Sequence, residues 1–243
     1  YCGAEHYTLE RRFILGYNIK NKPKKNSGID LNRYVWELKK YWWSKIKFNL
    51  VSPSKWQFIN VSKSNLFKKQ NNYFIPLGID LTKIKIINKK TAKKKLKLKH
   101  NYNYILFGSA ESPNNNRKGF DILQKIADFK FFKQNNIAVI IFGNKKNYSS
   151  AKIGIPLFYL GNVKENDYNK MGLIYSASDL TLVPSRIESF GLVALESLAH
   201  KRPVITFKNL GTSDLIIHRK NGFLSNYLDS QSLFRGIKWF YKL

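Results

Sequence analysis

The chain has 243 residues, 43% of them hydrophobic and 15% aromatic, enough apolar surface for one large domain or one and a half smaller ones, and too much for wholesale disorder. Forty-three Lys and Arg against 15 Asp and Glu leave a formal charge of +28, a balance that points to nucleic acid, an anionic membrane surface or phosphorylated substrates. Only eight of the cations are arginines, and Lys, Asn and Ile rise together as drift toward AT-rich codons would make them, so charge alone does not choose among those partners.

Residues 1–45 are aromatic, polar and irregular, with a helical pattern over Leu31–Trp43. Lys47–Val51 reads as a short strand stopped at Ser52-Pro53, and Ser54 as the N-cap of a helix with apolar Trp56, Ile59, Val61 and Phe67. Tyr73–Pro76 reads as a second strand, closed by the turn Leu77-Gly78-Ile79-Asp80. Residues 81–101 are the most lysine-dense stretch, with a basic helix over Lys89–Leu98, and read as an inter-domain link plus its lead-in helix. A nucleic-acid arm is the alternative there, but no aromatics interleave with its lysines for base stacking.

From Tyr102 the alternation is regular. Strands are expected at Tyr104–Phe107, Ala138–Phe142, Leu157–Leu160, Leu180–Val183 and Val204–Phe207. Helices are expected over 119–133, 166–177 and 190–199, with a short one near Asp214–His218 and a last one from Ser230. Apolar strands separated by helices predict an α/β fold with a doubly wound parallel sheet. Ligands of such sheets lie beyond the carboxyl ends of the strands, so the loops after them carry the chemistry.

Two of those loops stand out. In the first, Arg117 and Lys118 precede a helix start, where cations oppose the helix dipole unless an anion sits between them and the free amides. They read either as a phosphate grip or as two cations of a very basic chain. In the second, Pro184-Ser185-Arg186-Ile187-Glu188-Ser189-Phe190-Gly191-Leu192, Gly191 falls in the first turn of the expected helix, where a missing side chain would let a ligand reach the amides of Phe190–Leu192. Glu188 precedes that helix and Glu196 lies two turns inside it, leaning back toward the mouth. A diphosphate would repel both carboxylates, so their partners would be sugar or ribose hydroxyls. The alternatives are dipole complementarity for Glu188 and a lysine partner for Glu196.

Glu188 and Glu196 form E-x7-E, and the string around them resembles the donor-binding signature of retaining glycosyltransferases of family 4. Ser52-Pro53-Ser54-x-Trp56, Ile75–Asp80, Arg117-Lys118-Gly119-Phe120, Tyr159–Val163 and Asn221–Leu224 are similar to that family in the same order, over about residues 50–228. The resemblance implies the GT-B architecture: a doubly wound, Rossmann-like donor domain over 86–243, and over 1–85 the incomplete end of an acceptor-side Rossmann-like domain. It implies that Arg117 and Lys118 bind the diphosphate, that Glu188, Ser189, Phe190, Gly191 and Leu192 hold the donor sugar, that Glu196 takes ribose hydroxyls, and that Val163 lies near the base. Glu188 and Lys118 are the catalytic candidates. Many members carry an arginine where this chain has Ser112, and neither the family's Gly-rich N-terminal loop nor its N-domain histidine has a counterpart; His6 is expected to be structural.

The implied activity is transfer of a sugar from a UDP- or GDP-sugar to an acceptor hydroxyl, a saccharide or lipid-linked one, with retention, and with no metal or other cofactor. A hydrolase pairing Glu188 with Glu196 is disfavoured, because acid and nucleophile must flank one bond and these two lie on one loop–helix unit. A non-enzymatic basic module for nucleic acid or anionic membrane would explain the charge but not the motifs. Cys2, the single cysteine, excludes an intramolecular disulfide, and His6, His100, His200 and His218 show no metal spacing. With no run of 18 apolar residues and no signal pattern at Tyr1-Cys2-Gly3, the chain is expected to be cytoplasmic, in peripheral contact with the membrane, and cut at both ends.

Overall fold

In a computed structural model, described for residues 12–24, 27–109, 116–126, 129–143, 154–164 and 166–242, the chain divides into two compact units, Tyr1–Leu77 and Gly78–Leu243. Cys2, His6, Ser112 and all of residues 144–150 lie outside the described residues.

The described part of the first unit holds a short helix, α1 (Arg12–Leu15), and then α2 (Leu31–Trp43), whose N-cap Asp30 accepts from Arg33 N and whose buried Trp36 packs on Tyr17. A strand–helix–strand unit follows: β1 (Asn49–Ser52), α3 (Lys55–Lys63) and β2 (Asn71–Phe74), the strands pairing in parallel. Ser54 caps α3 by accepting from Gln57 N at 3.0 Å, the role its place after Pro53 predicts.

The second unit is built on six parallel strands in the order β5-β4-β3-β6-β7-β8. They are β3 (Asn103–Ser109), β4 (Ile137–Gly143), β5 (Leu157–Tyr159), β6 (Leu180–Val183), β7 (Val204–Phe207) and β8 (Gly222–Ser225). All seven residues of β4 are buried, as a continuous apolar run in a parallel sheet requires. Strand alternation then sorts the core. Ile105, Phe107, Val139 and Ile141 face α5 (Phe120–Ile126), α6 (Phe129–Gln134) and α9 (Ser230–Phe240). Tyr104, Leu106, Ala138 and Ile140 face α4 (Lys89–Lys95) and α7 (Tyr168–Ala177). Each buried Ile, Leu, Val or Phe among them contributes about 2 kcal/mol. A further helix, α8 (Leu192–Ala199), covers β6 and β7 through Ala194.

Several sequence expectations are corrected. The expected basic helix is present as α4, three residues shorter than Lys89–Leu98, and it is packed into the second unit: Ala92 and Lys93 are buried, Lys93 donates to Tyr102 O, and Lys89 pairs with Asp179 just before β6. The units part at Leu77, eight residues before the expected boundary at 85, because Lys85 and Ile87 bond to Asn169 and Ser176 of α7. Within the span expected as a helix over 119–133, the described residues form α5 (Phe120–Ile126) and α6 (Phe129–Gln134). The helix expected at Asp214–His218 is a 3-10 turn at Gly211–Leu215. β8 was not foreseen; it begins with Gly222, whose added Cβ would lie 2.2 Å from Val204 O.

Candidate functional site

Strand order reverses between β3 and β6, which are hydrogen-bonded neighbours while β4–β5 run off one way and β7–β8 the other. Loops leaving the carboxyl ends of two such strands diverge and open a crevice, and they are the loops carrying Arg117-Lys118 and Ser185–Gly191. Three contacts join them. Arg186 N donates to Arg117 O at 2.8 Å. The Arg186 guanidinium grips Asp121 of α5 with two bonds of 2.7 and 2.6 Å, which holds the Asp121 carboxyl below its ordinary value. Lys118 Nζ donates to Glu188 Oε2 at 2.7 Å, with Ser185 Oγ 3.4 Å from the same oxygen. The Lys118 and Glu188 side chains are 20% and 14% exposed, so the pair is largely withdrawn from water but still reachable.

Gly119 is what lets the loops approach. Its φ is +75° and an added Cβ would lie 2.0 Å from Pro184 O. Gly191 serves differently from the sequence expectation. It is the left-handed N-cap of α8 at φ +94°, and its open side is filled by Thr212 Cγ2, 2.2 Å from where a Cβ would stand, so the missing side chain makes room for the protein and not for a ligand. The helix starts at Leu192, which puts Glu196 one turn inside it instead of two. Phe190 is buried at 4% exposure, so only its backbone is available to a ligand, whereas Leu192 is exposed and Ser189 half-exposed.

Leu192, Val193 and Glu196 of α8, with the His200 that follows it, line an open cavity of about 880 Å³ whose other walls include Val163, Met171 and residues of the Gly78–Ile84 segment. The expected base-side and ribose-side residues, Val163 and Glu196, therefore share one hollow, with Leu192 at its rim. Glu196 has no lysine partner among the described residues; Tyr175 of α7 donates its hydroxyl to Glu196 Oε2 at 2.7 Å. Burial raises the Glu196 carboxyl above its usual range and the Tyr175 bond partly offsets this. His200 Nδ1 donates to Glu196 O at 2.7 Å and its Nε2 is buried without a partner among the described residues; burial lowers its affinity for a proton. Tyr175 and His200 are lining residues that sequence reasoning missed: a tyrosine inside an apolar helix and an isolated histidine both read as core.

A carboxyl whose folded pKa is raised adds stability below its unfolded value and loses it as pH rises through the folded one. Glu196→Gln keeps an acceptor for Tyr175 and removes the buried charge. This variant is expected to melt above the wild type at pH 7–8 and to lose that advantage below the ordinary Glu value of 4.5, as thermal scans across pH would show.

Residues 88–243 match the family model for glycosyl transferases group 1. The chain belongs to that family. An uncharacterized glycosyltransferase of Methanocaldococcus jannaschii is 30% identical over 129 residues, 51% of this chain and 34% of the relative. A glycogen synthase of Pseudothermotoga lettingae is 29% identical over 146 residues, 59% of this chain and 30% of the relative. Among solved structures, Anabaena HepE in complex with UDP and glucose superposes with a TM-score of 0.66 at 20% identity, over 82% of this chain and 55% of that one. The match thus spans about a third of these curated relatives and about half of the solved structure. The fold of this glycosyl transferases group 1 chain is that of the GT-B enzymes, with the second unit as its Rossmann-like domain. Among the described residues no helix is long and apolar enough to cross a membrane.

Proposed function

We propose that this chain carries the donor side of a retaining glycosyltransferase that moves a sugar from a nucleoside-diphosphate sugar to an acceptor hydroxyl. One observation carries the reading: the Lys118–Glu188 pair joins the β3 and β6 loops at the strand-order reversal, and α8, which begins just past Glu188, presents Glu196 to an 880 Å³ cavity. Each part has a task that its chemistry fits. Arg117, Lys118 and the first amides of α8 receive the diphosphate, whose negative charge grows as the bond to the anomeric carbon breaks. Preorganised cations and amides there stabilise that charge without reorganising. Glu188, already oriented by Lys118, accepts from a hydroxyl of the transferred sugar. Glu196 accepts from the ribose, and Val163 flanks the base. The acceptor is a saccharide or lipid-linked saccharide, for which the first unit is the acceptor side, and the basic surface favours work at an anionic membrane face.

The UDP and glucose held by Anabaena HepE support UDP as the first probe. In calorimetry the chain is expected to bind UDP or GDP with micromolar affinity, about −8 kcal/mol, and equally well with EDTA, since Arg117 and Lys118 supply the countercharge. No binding of either nucleotide would overturn the reading, and dependence on a divalent cation would overturn its metal-free part.

A further inference from the structure

We propose that Tyr175 is a positioning residue that makes the site select a ribonucleotide, by fixing the Glu196 carboxylate with one oxygen spent and the other turned to the ribose hydroxyls. This rests on the donor-binding reading of the cavity.

Tyr175 is fully buried on α7, while Glu196 stands on α8, 21 residues further on. Two independent elements therefore meet at one 2.7 Å hydrogen bond. The tyrosine ring has no freedom to leave it. His200 stacks on one side, with centroids 4.8 Å apart and planes at 19°, and Phe142 meets it edge-on at 6.3 Å. His200 is itself pinned, because its Nδ1 donates to the backbone carbonyl of Glu196. The Tyr175 hydroxyl has a second acceptor within reach, Val193 O at 3.3 Å, but the carboxylate is nearer and charged and holds the proton more strongly.

A glutamate on a helix surface ordinarily samples many rotamers and would have to be ordered by the ligand. Here the protein does that ordering before any ligand arrives. Glu196 Oε2 is occupied by Tyr175, and Oε1 has no hydrogen bond among the described residues while Glu196 lines the cavity. A carboxylate oxygen has acceptor capacity only, so it recognises hydroxyl donors and rejects a ligand that offers none. The ribose 2′- and 3′-hydroxyls are such donors; a dideoxyribose has neither. A buried acceptor left without its donor is costly, and that cost is the basis of the selection.

The test is calorimetry of the chain with UDP and 2′,3′-dideoxy-UDP, or the guanosine pair if GDP binds more tightly. The wild type is expected to prefer the ribonucleotide by about tenfold or more, as a charged hydrogen bond allows. In Tyr175→Phe the ribonucleotide is expected to weaken about tenfold and the dideoxynucleotide to hold, so the preference collapses. In a Glu196→Gln background the same change should do nothing further. A Tyr175→Phe variant that keeps the preference, or weakens both ligands equally as a packing role would, overturns the inference. Should that variant not fold, 3-fluorotyrosine at position 175 keeps the shape. Its fluorine resonance is expected to shift with UDP and much less with the dideoxy analogue, and equal shifts overturn the inference. Wild type that binds no nucleoside diphosphate removes the donor-site reading itself, an outcome distinct from binding without ribose preference.

Discussion

Lys118→Ala is expected to weaken binding of UDP or GDP by about 10- to 100-fold, the loss of one charge-assisted contact to a diphosphate, roughly 1.5–3 kcal/mol. The neighbour makes the effect larger than the deleted bond. Lys118 Nζ is 2.7 Å from Glu188 Oε2, and the Glu188 side chain is only 14% exposed. Without the lysine, a poorly hydrated carboxylate faces the incoming anion with nothing between them, and breaking a withdrawn ion pair from one side leaves the other charge uncompensated. The sign of this second contribution can be read directly. The double variant Lys118→Ala/Glu188→Gln is expected to regain part of the lost nucleotide affinity, because the repulsion goes with the charge, while sugar transfer stays abolished. Titration calorimetry on the three proteins measures it. A double variant no better than Lys118→Ala would mean that Glu188 does not face the phosphate.

The second large effect concerns the junction of the loops. Gly119→Ala is expected to destabilise the chain by about 2–5 kcal/mol, combining a strained left-handed residue with a steric clash. An alanine Cβ would lie 2.0 Å from Pro184 O, so the two loops must separate, and with them the Arg186 N–Arg117 O bond and the Arg186–Asp121 grip. Gly161 provides the control. Its φ of +73° is nearly the same, but nothing lies within 4 Å of its Cβ direction. Gly161→Ala therefore carries only the backbone strain, about 1 kcal/mol. Urea denaturation of both variants separates the two contributions. Equal losses would mean that the β3 and β6 loops do not depend on their close approach at Gly119.

Much of the donor unit was legible before any coordinates. Leu180–Val183 and Val204–Phe207 are four-residue runs of apolar residues with one threonine each, rich in β-formers and flanked by Pro184 and Pro203, and both are strands with those limits. Leu31–Trp43 was likewise read with its observed bounds, and Ser54 as the cap it is. The misses have physical causes. The basic helix at Lys89–Lys95 reads as the lead-in to an inter-domain link because lysine composition hides a buried face at Ala92 and Lys93, whose ammonium is satisfied by backbone carbonyls that no local pattern shows. Gly191 was read as an opening for a ligand because a first-turn glycine often is one, while the Thr212 that fills it comes from 21 residues away.

The site residues divide in the same way. Arg117 and Lys118 stand out because cations at a helix start oppose the dipole, and Glu188 and Glu196 because their spacing and surrounding string resemble a family signature, which gives all four their roles. The support that orients Glu196 does not stand out. Tyr175 and His200 act through a hydroxyl and a ring face whose partners are set by the packing of α7 against α8, and an apolar helix shows no local trace of that.

The most direct measurement is a crystal structure of the chain with its nucleoside diphosphate bound. The diphosphate is expected within hydrogen-bond distance of Lys118 Nζ and of the first amides of α8, with the ribose on Glu196 and the base beside Val163. A nucleotide seated elsewhere, with the Lys118–Glu188 pair untouched and the cavity on α8 empty, would contradict the account.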